Sequence, residues 1–584
     1  MIKTIDNIEF STDTTYKVNL IKDTGSDAEK GIVRIGITVD FGEKTVPEPV
    51  RIKWRCNVKN IYSQWNTNFW ENGSINPDWG PISEKSRSAS DAPIQVYTDH
   101  SGCNAVTVAV DDPLTPMEIL SGVAEETAEV QYKLILFTQK ISAIEHYEAT
   151  LQIDTRKIPL ADAVRRACGL WSRYSKSAYA PEFSKRPMYS TWYSYHQQLD
   201  TQKILSELKI AKELGMESVI VDDGWQTDDG NRGYAYCGDW NSVRIADMKA
   251  FVDSVHALGM KYIMWYSVPF VGVHSDAWER FRGKFLDKYD ENHPWCVLDP
   301  RYPDVRDYLV GIYEKAAKEW GLDGFKLDFI DSFTLTEHSA DFGGGMDYES
   351  LEEAVCALLF EAKSRLAKIN PDVLIEFRQS YIGPVMQGCG NMLRVADCPM
   401  AADKNRRGIM GLRLMSDVVP AHSDMLMWNY DDSAESAALQ VINAFFGVPQ
   451  ISVRLAEIPE SHLRMLRFYL KIWNDNRDII IGGKLYFKNP ESGYSFVSAE
   501  SENRIVAASY IGNVFTAEKR YDRIIYINGS CEDMLIFDNR AGKYDADYTV
   551  YDCTGNALCS GRITISDGLN GFDVPCSGVL RIEG

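Results

Sequence analysis

The middle of the chain, from residue 185 to 478, alternates short apolar strands with amphipathic helices. Asp200 precedes a predicted helix that Gly215 ends, with N-cap and glycine stop where helix ends need them. Eight predicted strands lie at 188–192, 218–221, 262–265, 324–329, 373–377, 392–396, near 418–419, and at 450–453. Eight βα units predict a (β/α)₈ barrel, with a doubly wound parallel sheet as the alternative.

Alternating apolar and polar residues return on both sides of this region. Residues 1–160 carry such runs at 32–39 and 130–137, which predict antiparallel strands and a β-sandwich. Residues 161–184 are expected to form a helical connector. Residues 479–584 alternate again, with turns such as Asn528-Gly529, and predict a small C-terminal antiparallel β domain.

The formal net charge of −21 over 584 residues argues against binding to nucleic acid or to an anionic membrane. No uninterrupted apolar run approaches the roughly 20 residues that span a bilayer. The first residues, from Met1 to Asp6, lack the basic-then-apolar pattern of a signal peptide. We therefore expect a cytoplasmic protein, and leave a homo-oligomer open.

Metal and cofactor motifs are not evident in the sequence. The twelve cysteines lack paired metal-type spacing, and the nine histidines form no His-x-His or His-Glu-x-x-His motif. The run Gly343-Gly344-Gly345 lacks the Lys-Ser/Thr that would complete a phosphate-binding loop. We therefore predict neither a metal nor a cofactor.

Carboxylates, cations and large aromatic side chains follow the predicted barrel strands, where the active sites of such barrels lie. In chain order these candidate residues are Trp192, Asp222, Asp223, Trp240, Trp265, Lys326, Asp328, Arg378, Asp397, His422 and Asp424. Such a mixture can grip sugar hydroxyls, protonate a leaving oxygen and stack on a pyranose ring. We therefore predict an oligosaccharide or glycoside as the substrate.

Asp328 is the predicted nucleophile of a retaining glycosidase, a class that needs one ionised and one protonated carboxyl about 5–5.5 Å apart. Lys326 lies two residues before Asp328, so both side chains project to the same side of a strand. An ammonium group there would keep Asp328 ionised. Simpler interpretations remain: Asp222 and Asp223 could form a helix-capping turn, and His422 could be a structural histidine.

At these residues the chain resembles the α-galactosidase group of glycoside hydrolase clan D, specifically the melibiase-like family 36. The motifs that carry the resemblance are Val221-Asp222-Asp223-Gly224-Trp225, Gly238-Asp239-Trp240, Leu298-Asp299-Pro300 and Gly324-Phe325-Lys326-Leu327-Asp328. The order of sandwich, barrel and β domain also looks like that of this family.

The resemblance implies a role for each matching residue. Asp328 would be the nucleophile and Asp397 the acid/base. Lys326 would bind the 3- and 4-hydroxyls of the sugar, and Asp222 and Asp223 the 4- and 6-hydroxyls. Trp265 would line the pocket.

Two segments depart from the family pattern. After strand 5 the family has Cys-x-Gly-Gly-Gly, where this chain reads Arg378-Gln379-Ser380-Tyr381. The usual Thr-Ser-Asp-Asn-Thr-Asp around the acid is replaced by Val395-Ala396-Asp397-Cys398-Pro399-Met400. These segments touch the 2-hydroxyl side and the leaving group in the family. Asp403 and Asp424 are therefore kept as alternative acids.

The predicted activity is that of a retaining exo-acting α-galactosidase, which releases terminal α-linked galactose by double displacement. One alternative keeps the catalytic pair but changes the sugar, as in an α-N-acetylgalactosaminidase or an α-glucosidase. A second is a transglycosylase related to the raffinose synthases. A third is an inactive glycan-binding protein.

Overall fold

The computed structural model describes residues 2–23, 30–68, 73–231 and 233–584. Met1, where the predicted N-terminal domain begins, lies outside the described residues. The N-terminal part of the chain forms two six-stranded sheets, ordered β1-β2-β5-β11-β10-β7 and β3-β4-β12-β9-β8-β6. Their strands are β1 (Ile2–Ile5), β2 (Ile8–Asp13), β3 (Lys17–Lys22), β4 (Ile32–Thr45), β5 (Val50–Cys56), β6 (Ile61–Asn66), β7 (Ile82–Ser86), β8 (Ile94–Asp99), β9 (Asn104–Val110), β10 (Met117–Ala124), β11 (Glu129–Leu136) and β12 (Ile144–Asp154).

The two sheets pack face to face as the predicted β-sandwich. Alternate residues of β4, such as Ile35, Ile37 and Val39, are fully buried, as period-two alternation requires. They share one apolar core with Ile52 and Trp54 of the other sheet. Short helices then lead into the next region: α1 (Leu160–Cys168), α2 (Ser172–Ser175) and 3₁₀ turns at Gly169–Trp171 and Glu182–Lys185.

Eight parallel strands close into a barrel, which confirms the predicted fold. These strands are β13 (Met188–Ser190), β14 (Ser218–Val221), β15 (Lys261–Ser267), β18 (Gly324–Asp328), β19 (Leu374–Arg378), β20 (Met392–Arg394), β21 (Ala421–Leu426) and β22 (Val448–Ile451). A two-stranded ribbon of β16 (Phe270–Gly272) and β17 (Trp295–Val297) follows β15.

Helices alternate with the barrel strands. They are α3 (Trp192–Tyr195), α4 (Thr201–Glu213), α5 (Met248–Ala257), α6 (Asp276–Arg280), α7 (Pro303–Trp320), α8 (Leu351–Ile369), α9 (Pro384–Cys389), α10 (Ala402–Met415), α11 (Ala434–Asn443), α12 (Glu460–Asp475) and α13 (Arg477–Gly482), with a 3₁₀ turn at Ile330–Ser332. The side chain of Asp200 accepts from the N–H groups of Gln202 and Lys203, which confirms the predicted N-cap of α4. Gly215, predicted to end that helix, has φ of +88°.

The seventh barrel strand was misplaced by the sequence analysis. Val418 lies in a bend with half of its side chain exposed, and the strand starts three residues later, at Ala421. Pro420 explains the shift, because proline has no N–H to donate to a strand ladder. The correction puts His422 and Asp424 inside the strand.

The barrel interior is layered by polarity. At the amino-terminal end an apolar layer is formed by Met188, Ile220, Ile263, Leu374 and Met392. Two residues further along the strands, inward-facing positions carry charges, including Lys326, Glu376 and Arg394, each buried to 4% exposure or less. Buried charges require oppositely charged or hydrogen-bonding partners, so the side chains of this layer and those at the rim that pair with them hold one another in place.

The C-terminal region forms a seven-stranded and a three-stranded sheet, ordered β23-β24-β25-β27-β32-β29-β30 and β26-β28-β31. Their strands are β23 (Lys484–Lys488), β24 (Phe496–Glu500), β25 (Arg504–Ser509), β26 (Val514–Ala517), β27 (Arg523–Asn528), β28 (Met534–Asn539), β29 (Tyr544–Tyr551), β30 (Ala557–Ile565), β31 (Gly568–Asp573) and β32 (Val579–Glu583), with a 3₁₀ turn at Pro490–Ser492. Most strand pairs of this region are antiparallel, as predicted for the domain, but β25 pairs with β27, and β26 with β28, in parallel. The chain visits the second sheet between β25 and β27, which returns it in the same direction.

Candidate active site

Five predicted site residues lie at the carboxyl ends of neighbouring barrel strands. Trp265 is in β15, Lys326 and Asp328 are in β18, and Arg378 ends β19, while Asp222 directly follows β14. Trp265 and Lys326 are register partners across β15 and β18. Because the strands are parallel, their carboxyl ends meet at one rim, and the five side chains gather there.

Asp328 is 5% exposed and is held by four hydrogen-bond donors. Its Oδ1 accepts from the backbone N–H of Phe329 at 2.9 Å, from Nε of Arg378 at 2.9 Å and from the hydroxyl of Tyr381. Its Oδ2 accepts from Nε1 of Trp265 at 2.9 Å. Oδ2, with a single donor, therefore keeps the freer lone pair.

The surroundings of Asp328 favour its ionised form. Burial alone would raise the pKa of this carboxyl, but the positive charges of Arg378 and Lys326 lower it. Hydrogen bonds from Tyr381 and Trp265 act in the same direction. The net result is a pKa well below the usual range, so Asp328 is an anion at neutral pH.

Lys326 forms a buried ion pair with Asp222, with Nζ 2.6 Å from Oδ2. Burial lowers the pKa of Lys326, but the charges of Asp222 and Asp328 outweigh it and raise that pKa. The ammonium therefore stays protonated between two carboxylates. It offers further donors at the rim, since an ammonium group has three.

Asp223 lies beside this pair and is 3% exposed. Its carboxylate accepts from Nε2 of Gln197 and from Nε2 of Gln226, both at 2.7 Å. Burial raises the pKa of Asp223 to about 6, with the negative charge of Asp222 adding to the rise and the two amides opposing it. The predicted Asp-Asp pair is thus a packed, hydrogen-bonded part of the rim rather than a helix cap.

Asp397 follows β20, and its side chain is 52% exposed. One of its oxygens lies 2.9 Å from Nη2 of Arg394. Burial opposes ionisation of Asp397, but the charges of Arg394, Lys326 and Arg378 lower its pKa. Asp397 is therefore an accessible, ionised carboxylate that pairs with the buried guanidinium of Arg394.

The alternative acids are placed differently. Asp424 is fully buried and is bound to Arg394, to the Tyr193 hydroxyl at 3.0 Å and to the Cys398 N–H at 2.7 Å. Asp403 lies on α10 with a largely exposed side chain, 3.9 Å from Arg407 of the same helix. Asp424 is thus enclosed by Arg394, Tyr193 and Cys398 and has no exposed surface, whereas Asp397 is accessible.

His422 is not brought to the rim. It is fully buried in the barrel, with Nε2 2.8 Å from the carbonyl oxygen of Ser184, a residue that precedes β13 at the opposite end. Burial lowers the pKa of His422 to about 3, so the ring is neutral. This placement corrects its prediction as a substrate-binding residue and favours the structural interpretation.

The remaining two predicted aromatic residues lie beside the rim. Trp240 is 5% exposed and packs behind Trp265, with ring centroids 6.0 Å apart. Trp192 begins α3 and meets the ring of His196 edge-on at 4.9 Å. Trp240 therefore supports the pocket wall, and Trp192 is partly accessible at the end of the first strand.

The sequence predicts no role for Tyr381, whereas it places Gln379 with Arg378 at the end of strand 5. Tyr381 donates to Asp328, and Oε1 of Gln379 accepts from the Ala396 N–H at 3.3 Å. Both belong to the segment that departs from the family pattern, which was the available signal. Their side-chain directions depend on an irregular loop, which no periodic pattern predicts.

Within residues 2–23, 30–68, 73–231 and 233–584, no group of three or more His, Cys, Asp or Glu side chains is suited to hold a metal ion. None of the helices described is long and apolar enough to cross a bilayer.

Sequence comparisons find similarity to alpha-galactosidases and to a related galactosaminidase. The melibiase family model matches residues 171–404. Alpha-galactosidase AgaA of Geobacillus stearothermophilus is 27% identical over 350 residues, covering 55% of this chain and 46% of that protein. An A type blood alpha-D-galactosamine galactosaminidase of Flavonifractor plautii is 22% identical over 251 residues, covering 38% and 22%. The matches thus span less than half of the length of these curated relatives.

Solved structures share the fold across nearly the whole chain. The alpha-galactosidase of Lactobacillus brevis aligns with a TM-score of 0.62 at 14% identity, covering 99% of this chain and 86% of that one. The GH36 alpha-galactosidase AgaA of Geobacillus stearothermophilus aligns with a TM-score of 0.60 at 12% identity, covering 100% and 88%. The motifs, the family model over residues 171–404, the relatives and the fold agree in their similarity to the melibiase-like glycoside hydrolases of family 36.

Proposed function

We propose that the chain is a retaining, exo-acting α-galactosidase that releases terminal α-linked galactose by double displacement. The observation that carries this proposal is Asp328: a buried carboxylate at the barrel rim, kept ionised by Arg378 and Lys326, with one oxygen left for attack. Its relatives' names support the sugar, since several are alpha-galactosidases.

In the first step, Oδ2 of Asp328 attacks the anomeric carbon of the bound sugar. The glycosidic C–O bond breaks, and the leaving oxygen takes a proton from Asp397. A covalent glycosyl ester forms on Asp328 with inverted configuration.

In the second step, Asp397 accepts a proton from water, and the water oxygen attacks the anomeric carbon. The ester bond to Asp328 breaks, and its carboxylate is restored. Two inversions leave the sugar with its original α configuration.

Asp397 must carry a proton in the first step, although the positive charge of Arg394 lowers the pKa of this carboxyl and favours its ionised form. A bound glycoside would exclude water from this half-exposed carboxyl, and loss of water raises a carboxyl pKa. We therefore expect the basic limb of kcat, which reports the bound state, to lie at higher pH than that of kcat/KM. A pH profile of both constants checks this, and coincident limbs would contradict it.

The Lys326–Asp222 pair and Asp223 supply the donors and acceptors for the sugar hydroxyls. The ammonium can donate to two adjacent hydroxyls, and the two carboxylates can accept from hydroxyls on the far side of the ring. The family resemblance assigns these to O3, O4 and O6, which suits the axial O4 of galactose.

Arg378 supports a neutral oxygen substituent at C2. Its Nε binds Asp328 and its Nη1 donates to the Gln379 carbonyl at 3.0 Å. The guanidinium carries a positive charge, which repels a protonated 2-amino group but can donate to a hydroxyl or to an acetamido oxygen. The galactosaminidase among the relatives makes the 2-amino sugar the specific alternative to test.

The proposed function is tested with nitrophenyl α-glycosides of galactose, N-acetylgalactosamine, galactosamine and glucose. We expect the galactoside to have the highest kcat/KM and proton NMR to show α-galactose as the first product. β-Galactose would contradict retention, and a preference for another glycoside would contradict the sugar assignment. Product analysis with added sugar acceptors distinguishes hydrolysis from transglycosylation.

Tyr381→Phe removes one donor to Asp328 and keeps the ring. Hydrogen bonds to charged groups contribute about 1.5–3 kcal/mol, so kcat/KM should fall by about tenfold or more. The pKa of Asp328 should rise, which moves the acidic limb of the kcat/KM profile to higher pH.

Tyr189→Phe is the matched control, because the buried Tyr189 hydroxyl bonds to Val453 and Ser194 instead of to Asp328. It should keep the acidic limb of the wild type. An unshifted limb in Tyr381→Phe would remove Tyr381 from the account.

A further inference from the structure

One loop of the N-terminal sandwich reaches the barrel rim. This segment, residues 87–91, lies between β7 and β8, and we call it the sandwich loop. The guanidinium of Arg87 donates to the backbone carbonyls of Asp331 and Phe333, and the N–H of Asp91 donates to the carbonyl of Ser380 at 2.8 Å. The loop therefore makes backbone-directed hydrogen bonds to two separate barrel loops.

These two barrel loops are the ones that hold Asp328. The first continues from β18 through Phe329, whose N–H donates to Oδ1 of Asp328. The second follows β19 and carries Tyr381, which donates to the same oxygen. Arg378, the last residue of β19 before this loop, donates to that oxygen as well. All three donors to Oδ1 thus belong to segments that the sandwich loop contacts.

The contact is close and buried. Arg87 is 6% exposed, and Ala89, at the tip of the loop, is 1% exposed within the apolar core of the barrel. A Cβ placed on Gly383 would lie 2.1 Å from the Asp91 carbonyl oxygen, so the two backbones touch without room for a side chain. Such packing leaves neither barrel loop free to shift independently.

Charge also ties the loop to this place. Arg87 lies 3.7 Å from the Glu352 carboxylate at the start of α8, and the Ser88 hydroxyl donates to the same residue. The carboxyls of Asp91 and Asp331 lie in the same region, where burial raises the pKa of Asp331 and the charges of Arg378 and Arg87 oppose the rise. Arg87 thus places a positive charge among the carboxyls of Glu352 and Asp331, where the sandwich loop meets the barrel.

We propose that the sandwich loop is a positioning element of the active site, with Arg87 as its central residue. It fixes the loops after β18 and β19, and through them the three donors that orient Oδ1 of Asp328. This inference rests on the proposed role of Asp328 as the nucleophile. It makes the N-terminal sandwich a working part of the catalytic centre, although its loop does not touch the reacting atoms.

The test compares Arg87→Ala with Tyr381→Phe and with the double variant. Small displacements of catalytic groups cost up to about 100-fold, so Arg87→Ala should lower kcat by about 10- to 100-fold with KM nearly unchanged. Because Arg87, through the loop after β18, and Tyr381 both act on Oδ1 of Asp328, the double variant should lose less than the product of the two single losses. Arg87→Lys should restore part of kcat.

Lys44→Met is the control for a general effect of the interface. Lys44 also pairs across to the barrel side, with Nζ 2.7 Å from Glu349, but it is exposed, and Glu349 lies just before α8, at the end of the β18–α8 connection far in sequence from Phe329. It should keep the wild-type kcat. If Arg87→Ala does not fold, Gly383→Ala decides, because its methyl group pushes the same two backbones apart and should lower kcat in the same way.

Wild-type kcat in Arg87→Ala or in Gly383→Ala would overturn the inference, as would losses that multiply fully in the double variant. This outcome is distinguishable from failure of the proposed function. If Asp328→Asn is inactive while Arg87→Ala is normal, only the positioning role fails. If Asp328→Asn is active, the assignment of the nucleophile itself fails.

Discussion

Asp328→Asn is expected to lower kcat on nitrophenyl α-galactoside by on the order of 10⁴-fold or more, since removal of a nucleophile costs this much in enzymes that form covalent intermediates. The amide keeps the shape of the side chain but cannot form the glycosyl ester. The measurement is a steady-state assay, with circular dichroism to show that the variant is folded.

A binding measurement separates this loss from a damaged pocket. Galactose should still bind to Asp328→Asn, because the Lys326–Asp222 pair that meets the hydroxyls is unchanged. Activity within tenfold of the wild type would contradict the role of Asp328. An inactive wild type that still binds galactose would bring back the interpretation as a glycan-binding protein.

Asp397→Asn is expected to affect substrates according to their leaving groups. A general acid contributes about 10²–10⁴-fold, and the contribution is largest when the departing oxygen is basic. A galactosyl oligosaccharide, whose leaving group is a sugar alcohol, should therefore lose far more activity than a dinitrophenyl galactoside, whose leaving group departs without a proton. Added azide should speed the second step, because it needs no base.

Asp403→Asn is the matched control, since Asp403 is an exposed carboxylate on the helix that follows Asp397. It should treat both substrates as the wild type does. Equal losses for the two substrates in Asp397→Asn would count against Asp397 as the acid.

The barrel and the position of Asp328 at its rim were predictable because both depend on local patterns. Helix periodicity, the Asp200 cap and the glycine stops determine where the helices lie, and period-two alternation puts Lys326 beside Asp328. The ion pair between Lys326 and Asp222 then follows because the ends of β14 and β18 lie on one rim with only β15 between them. These features need no knowledge of distant contacts beyond barrel closure.

The errors arose where depth and loop geometry matter. His422 and Asp424 lie two residues apart in β21, but the sequence does not say that the first reaches the opposite end of the barrel and that the second is fully buried against Arg394. The hydroxyl of Tyr381 reaches Asp328 only because the loop after β19 turns back to the rim. The contribution of Arg87 depends on packing between parts of the chain that lie more than 200 residues apart.

The central claim is that Asp328 forms a covalent bond to the sugar. The most direct measurement is to trap this intermediate with 5-fluoro-α-galactosyl fluoride, a reagent whose glycosyl ester forms faster than it hydrolyses, followed by peptide mapping with mass spectrometry. The account predicts one fluorogalactosyl group on the peptide that contains Asp328, and none on the Asp328→Asn variant. A label on a different carboxylate, or turnover of the α-galactoside with β-galactose as the first product, would contradict it.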